Sequence, residues 1–264
     1  MRMYFRELRV GIKSLLIWTA VITFLIFVAV GKFAAFEGSP ESLAILDNMP
    51  PQLLDALSMR AFNLTTLEGF FGVMFVYFAL MGAMAAALWG SEAISKEERN
   101  RTVEFTLVLP VQRRQIVTTK LLAALTNCAL FVLFTWILSV IAVRGYAPEK
   151  SLYDLLRLEM LAMFMIELVF LSMGTMLACV SKSPRRVGSM AIGLILWLYF
   201  LSIIAGMHEK LTWLKYLTPF CWFNASEFFR SGRFEPYALV LTGLIVVIFL
   251  FAAYAVYDRR DLFI

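Results

Sequence analysis

Two parts of this 264-residue chain put charge where charge is expensive, and they hold the residues that could do chemistry. One is the run at 91–120, with Lys96, Arg99, Arg101, Arg113, Arg114 and Lys120 beside Glu92, Glu97, Glu98 and Glu104. The other is Glu167, alone in an apolar stretch. The run is internally ordered. Ser95 followed three residues later by Glu98 reads as the capping box that starts a helix. Pro110 disfavours a helical Leu109, so that short helix should end there. On it Val103 and Leu107 share one face, while Lys96, Asn100 and Glu104 share another. A short, half-apolar helix of this kind suits being pushed by another protein rather than making bonds.

Bond-making chemistry is no easier to place elsewhere. No GxxxxGK[ST] phosphate loop occurs, so the chain is not expected to bind and hydrolyse ATP itself. His208 is the only histidine, which excludes a bis-His haem and leaves a Ser-His-Asp triad unsupported; it reads as an interfacial residue. No Gly-x-Ser-x-Gly-like nucleophile turn lies within an apolar stretch. Cys128, Cys179 and Cys221 stand far apart without a CxxC, so neither a disulfide framework nor a metal site is expected. The expectation is no catalytic residue, no metal and no cofactor on this chain.

The elements that must position the charged run are apolar. The chain is 61% hydrophobic and 16% charged, against about 45–50% and about a quarter in ordinary globular proteins. That predicts an all-α integral membrane protein. Crossing a bilayer takes about 20 apolar residues, and charge-poor intervals of that length fall at 14–36, 69–90, 121–143, 160–181, 187–207 and 236–257. Six transmembrane helices follow, in a single domain over 1–264. Ahead of them, Arg2, Arg6, Arg9 and Lys13 form one stripe, with Tyr4, Phe5, Leu8 and Ile12 away from it. This is the pattern of an amphipathic interfacial helix in the headgroup layer. The apolar run after it is longer than the roughly 7–15 residues of a signal-peptide core, so an uncleaved first span is expected.

The connecting segments are also readable. Residues 37–67 form a polar excursion with short amphipathic helices, and Thr65 with Glu68 makes a second capping box that opens the second span. Gly82, Ala86 and Gly90 are spaced as small-xxx-small pairs, which let helices approach closely inside one subunit or between two. Residues 208–235 are too apolar for a free loop and should form short helices dipping into the outer leaflet.

Charge placement gives orientation. With the N-terminus inside, the inner segments hold 15 of the 24 Lys and Arg but seven of the 19 Asp and Glu. The outer segments hold nine basic and 11 acidic residues, which obeys the positive-inside rule with both termini cytoplasmic. The basic pI of about 9.2 is then a matter of topology, and no nucleic-acid partner is expected.

Glu167 remains. A carboxylate at mid-span costs about 2.5–3.5 kcal/mol on insertion scales, so it should face protein or water. Leu171, Gly174 and Ala178 share its helix face. Two readings stand: a neutral carboxyl hydrogen-bonded to a neighbouring span, or a group on a translocation path that recognises cationic substrate or gates it.

The charged run resembles the cytoplasmic segment of ABC-2-type transporter permeases. The matching features are Glu97-Glu98-Arg99, Thr102-Val103-Glu104, the hydrophobic turn at 107–109, Pro110, Arg113-Arg114 and Lys120, with Arg101 where the family usually has Gly. Arg6-Glu7-Leu8, Glu68-Gly69-Phe70, Leu214 with the 217–220 stretch, and Arg259-Arg260-Asp261 are similar to the family at matching positions, so the resemblance spans the chain. It implies that the central run is a coupling helix receiving the motion of a separate cytoplasmic ABC ATPase, through Glu98, Arg99, Thr102, Glu104, Pro110, Arg113 and Arg114. It also implies a second permease half, identical or not, lipid around the bundle, a plasma-membrane location, ATP and Mg on the partner chain, and export as the direction. The alternatives are an ion-gradient-driven secondary transporter or a membrane enzyme. The internal repeats and mid-membrane helix breaks common in such transporters are not seen, and the enzyme lacks a nucleophile or metal site.

Overall fold

Hydrocarbon offers no water to satisfy backbone N–H and C=O groups, so a lipid-spanning apolar segment must form its own hydrogen bonds as a helix. The computed structural model, which describes residues 2–36, 62, 64, 66–100, 112–207 and 209–259, contains six such helices. They are α1 (Arg2–Phe36), α2 (Leu67–Arg99), α3 (Arg113–Val143), α4 (Lys150–Val180), α5 (Val187–Met207) and α8 (Pro236–Arg259). Between α5 and α8 lie a 3-10 helix (Glu209–Tyr216) and two short helices, α6 (Pro219–Trp222) and α7 (Ala225–Ser231). No strand occurs among the described residues. The chain is an all-α integral membrane protein.

Most spans run longer than the apolar intervals suggest. The first is the largest departure: the N-terminal basic stripe is not a separate interfacial helix but the opening turns of a continuous 35-residue α1. At about 1.5 Å per residue this helix is about 50 Å long, well beyond a hydrocarbon core of about 30 Å. Nor does Ser95 start a helix. It lies inside α2, buried, its hydroxyl donating to the Ser91 carbonyl at 2.8 Å, the back-bond that mid-helix serines make. The residues at 91–99 include no Gly or Pro, so α2 propagates to Arg99 and ends where the Asn100 N–H meets the Lys96 carbonyl at 3.0 Å. At its other end the capping hydroxyl belongs to Thr66, which accepts from the Gly69 N–H at 3.2 Å. Thr65 lies outside the described residues. Glu68 accepts instead from Ser151 Oγ at 2.8 Å, tying α2 to α4.

α4 starts at Lys150, ten residues before the apolar interval, because its first turns are amphipathic. Leu152, Leu155 and Leu156 are buried there, while Asp154 and Arg157 face out as a 3.6 Å pair. The earlier start carries a second carboxyl, Glu159, into the helix beside Glu167, so Glu167 is not the only acid inside a span.

α2 and α4 form the central pair and share the most extensive contact in the molecule. Their backbones touch. A side-chain carbon at Gly174 would collide with the Ala87 backbone, and one at Gly90 with the Leu171 carbonyl. The small-residue stripe therefore packs inside this chain. Outside the pair, α1 lies on α3, α8 on α4 and α5 on α2, with α5 and α8 largely exposed.

The two ends of the bundle differ. At one, the segment before α8 forms an aromatic cap. Phe228 meets Phe75 and Phe234, and Phe220 meets Phe170 and Tyr199. Thr218 Oγ1 donates to the Leu198 carbonyl at 3.0 Å, and Trp222 Nε1 to Tyr216 at 3.2 Å. Gly232 then stops α7 in the left-handed region at φ 68°, which glycine enters without steric cost. These are the short packed helices expected of 208–235. The other end gathers the N-termini of α1, α3 and α5 with the C-termini of α2, α4 and α8, and with them most of the basic residues.

Candidate functional site

At the basic end, charges that the sequence scatters come together. α2 and α3 both extend past the apolar part of the bundle, and residues 101–111 connect them. Lys120, first of the charged residues below the third apolar run, has a side chain only 2% exposed and pairs with Glu97 of α2 at 3.0 Å. Glu97 also receives Arg6 of α1 at 3.4 Å, and Arg6 pairs with Glu7 at 2.9 Å. About two turns earlier on α3, Arg114 Nε donates to Asp258 Oδ2 of α8 at 2.6 Å, and Arg113 Nη1 reaches the Tyr257 carbonyl at 3.5 Å. Beneath these pairs Ile94, Val117, Ala178, Cys179, Val187, Ala253 and Tyr257 form a small apolar cluster that joins α2, α3, α4, α5 and α8.

The candidate coupling residues therefore divide. Arg113 and Arg114 are tied to the end of α8. Arg99, exposed on the last turn of α2, pairs with Glu92 two turns back at 3.6 Å. Glu98 and Arg99 also line an open cavity of about 390 Å³ completed by the turn at 182–186. Thr102, Glu104 and Pro110, with the short helix expected around them, lie outside the described residues. Neither the apolar pattern nor the spacing points to the Glu97–Lys120 pair, since residues 23 apart on different helices meet only once the helix register is known.

Glu167 is fully buried at the centre of the chain. It faces α2 at Gly82, where a side-chain carbon would stand 2.8 Å from Oε1, and Met163 closes the same spot. The Cys128 thiol of α3 stands beside it and interacts with the carboxyl, while no other donor among the described residues reaches either oxygen. Glu159, about two turns nearer the aromatic cap, is equally buried and has no hydrogen-bond partner among them. Glu167 thus sits within α2, α3 and α4 and opens on no surface of the chain. Glu159 was hidden by the apolar run that begins one residue after it.

The arrangement contains a membrane bundle, an ion-paired collar at its basic end, and two buried carboxyls at its core. The family described as ABC-2 family transporter protein matches residues 1–262. No curated protein matches the chain.

Proposed function

The chain belongs to the ABC-2 transporter family, and from that premise we propose that it couples a separate cytoplasmic ABC ATPase to export across the plasma membrane. A permease subunit of this family is a multi-pass transport component, not itself an enzyme. In the proposal the basic end is cytoplasmic, as are both termini. Two permease halves join, and ATP and Mg are held by two ATPase chains. The surface expected at 102–109, with Glu98, Arg99, Thr102, Glu104 and Pro110, receives the ATPase.

The observation that carries this reading is the tied pair of helix extensions on either side of 101–111. A push on that segment enters α2 at Arg99 and α3 at Arg113. Because Glu97 holds Lys120 and Arg114 holds Asp258, the ends of α2, α3 and α8 respond together rather than separately. α2 in turn lies backbone to backbone on α4, so its displacement reaches the centre of the bundle. There, a shift of α2 against α4 moves Gly82 off Glu167 and lets the carboxyl join a translocation path or gate it.

The test is co-expression of the chain with its ATPase subunit and reversal of Glu104 to Lys. On this proposal Glu104 faces the ATPase and not the bundle, and surface substitutions normally change stability by within about ±0.5 kcal/mol, so the variant should insert and purify as wild type does. It should lose ATPase binding, or ATP hydrolysis that responds to substrate. Full assembly and transport by Glu104→Lys would remove this face from the coupling surface.

A further inference from the structure

The open cavity at the basic end is built for an anion. Its lining is Glu98 and Arg99 from α2 and Lys182, Ser183, Pro184, Arg185 and Arg186 from the turn between α4 and α5, four cations against one acid around about 390 Å³. Lys182, Arg185 and Arg186 are exposed and make no ion pair among the described residues, and Arg99 has only the 3.6 Å contact to Glu92. The turn is held open: the Ser183 N–H is donated to Ser181 Oγ at 3.2 Å and the Arg186 N–H to the Ser183 carbonyl at 3.0 Å. The first helical bond of α5 is Met190 N–H to the Arg186 carbonyl. The N–H groups at 187–189 therefore lack helical acceptors, and the positive end of a 21-residue helix lies at the same turn. Guanidinium groups bind phosphate through paired N–H donors.

We propose that this cavity binds the phosphate of an acidic phospholipid headgroup in the leaflet at the basic end. Two features favour a lipid over a free phosphate. The cavity lies where the polypeptide leaves and re-enters the apolar zone, six residues after which α5 is again a span. The surface leading away from it is apolar and exposed, through Val180 on α4 and Met190, Trp197, Phe200 and Ile204 on α5, which acyl chains of a seated lipid would cover. Basic pockets between transmembrane helices hold anionic headgroups in this way. The inference rests on the membrane span assignment; Glu98 and Arg99 also stand in the proposed coupling surface, so its test reads the turn residues Lys182, Arg185 and Arg186, which that surface does not include.

The test uses the full chain purified in a neutral detergent, titrated with dioctanoyl phosphatidylglycerol while Tm is followed. Dioctanoyl phosphatidylcholine and inorganic phosphate are parallel arms. Wild type should show a saturable rise in Tm with the acidic lipid and none with the zwitterionic one or with phosphate. Arg185→Gln/Arg186→Gln should shift the titration midpoint by at least about tenfold, the factor that corresponds to one good charge contact. Arg157→Gln, at the opposite end, should leave the titration as it is. If the double variant is not monodisperse without lipid, Lys182→Gln decides, with a smaller shift in the same direction. No rise in wild type, or the same midpoint in wild type and turn variants, overturns the proposal. An equal rise with inorganic phosphate makes the site one for a soluble anion and overturns the lipid assignment. A turn variant that keeps the lipid response but loses the ATPase subunit makes the turn a protein-docking surface, and overturns it too.

Discussion

Removing Glu97 should harm this protein far more than removing either of its cationic partners. Lys120 is the reason: its side chain is 2% exposed and its ammonium is 3.0 Å from Glu97. Glu7 and Glu92 border the same small crevice but are engaged by Arg6 and Arg99. In Glu97→Leu the lysine is left buried with no carboxylate of its own, and breaking a buried pair this way costs about 3–5 kcal/mol. In Lys120→Met the carboxylate keeps Arg6 at 3.4 Å and 15% exposure, so the loss is nearer the about 1–3 kcal/mol of a partly unsatisfied group. Arg6→Ala removes a half-exposed partner, worth about 0–1 kcal/mol. The double variant Glu97→Leu/Lys120→Met replaces the pair with apolar side chains, so it should be about 2 kcal/mol more stable than the sum of the single losses. Unfolding by SDS titration in mixed micelles, followed by far-ultraviolet circular dichroism, measures all four. Equal losses for Glu97→Leu and Lys120→Met, or strict additivity in the double variant, would refute the claim that this buried contact clamps α2 to α3.

Three further outcomes follow from the same geometry. Gly174→Val should lower Tm sharply, since its side chain must displace the Ala87 backbone and overpacking costs about 1–3 kcal/mol or more; Gly193→Ala on α5, with nothing within 4 Å, should leave Tm unchanged or raise it. Glu167→Gln should keep expression and assembly but lower transport or flatten its dependence over about pH 6–8, if the carboxyl joins or gates the path as proposed; wild-type transport at every pH would make it a packing group. Single cysteines at the exposed Ser183 and Ser231, in a chain without its native thiols, should react with an impermeant reagent in intact cells only at 231. The native thiols should react slowly in any case, because Cys128 and Cys179 are buried. Burial, then the charge of Glu227, pushes the Cys221 thiol up to about 11 against the opposing pull of Lys215, so it stays protonated at neutral pH.

Helix number and class were legible because a bilayer imposes a length and leaves no other hydrogen-bonding solution. The fifth span was read to the residue, 187–207, since basic residues precede it and His208, Glu209 and Lys210 follow it. Helix ends were less legible wherever helices outrun the membrane. Charge marks the edge of lipid, but only a missing hydrogen bond ends a helix, and the residues 91–99 and 150–159 supply every one. That is why Ser95 looked like a start, and why Glu159 was placed outside. Of the candidate site, a charged run and one buried acid, Glu167, were legible. Its internal wiring was not, because Arg114 and Asp258, or Glu97 and Lys120, become neighbours only through packing.

The burial of Glu167 has a consequence for how the chain is made. Its surroundings, Gly82 on α2 and Cys128 on α3, are synthesised before α4 leaves the ribosome, and domains are generally assembled from the N-terminal side. Glu167 at mid-span adds about 2.5–3.5 kcal/mol to the work of entering lipid, and Glu159 toward the span's end adds to it, so α4 on its own is a poor passenger for the insertion machinery. With α2 and α3 already waiting, the acid can pass from the translocation channel to a protein wall without resting in hydrocarbon. The order of the helices along the gene is then also an order of assembly, and a chain rearranged to place α4 first would meet the membrane before its shelter existed.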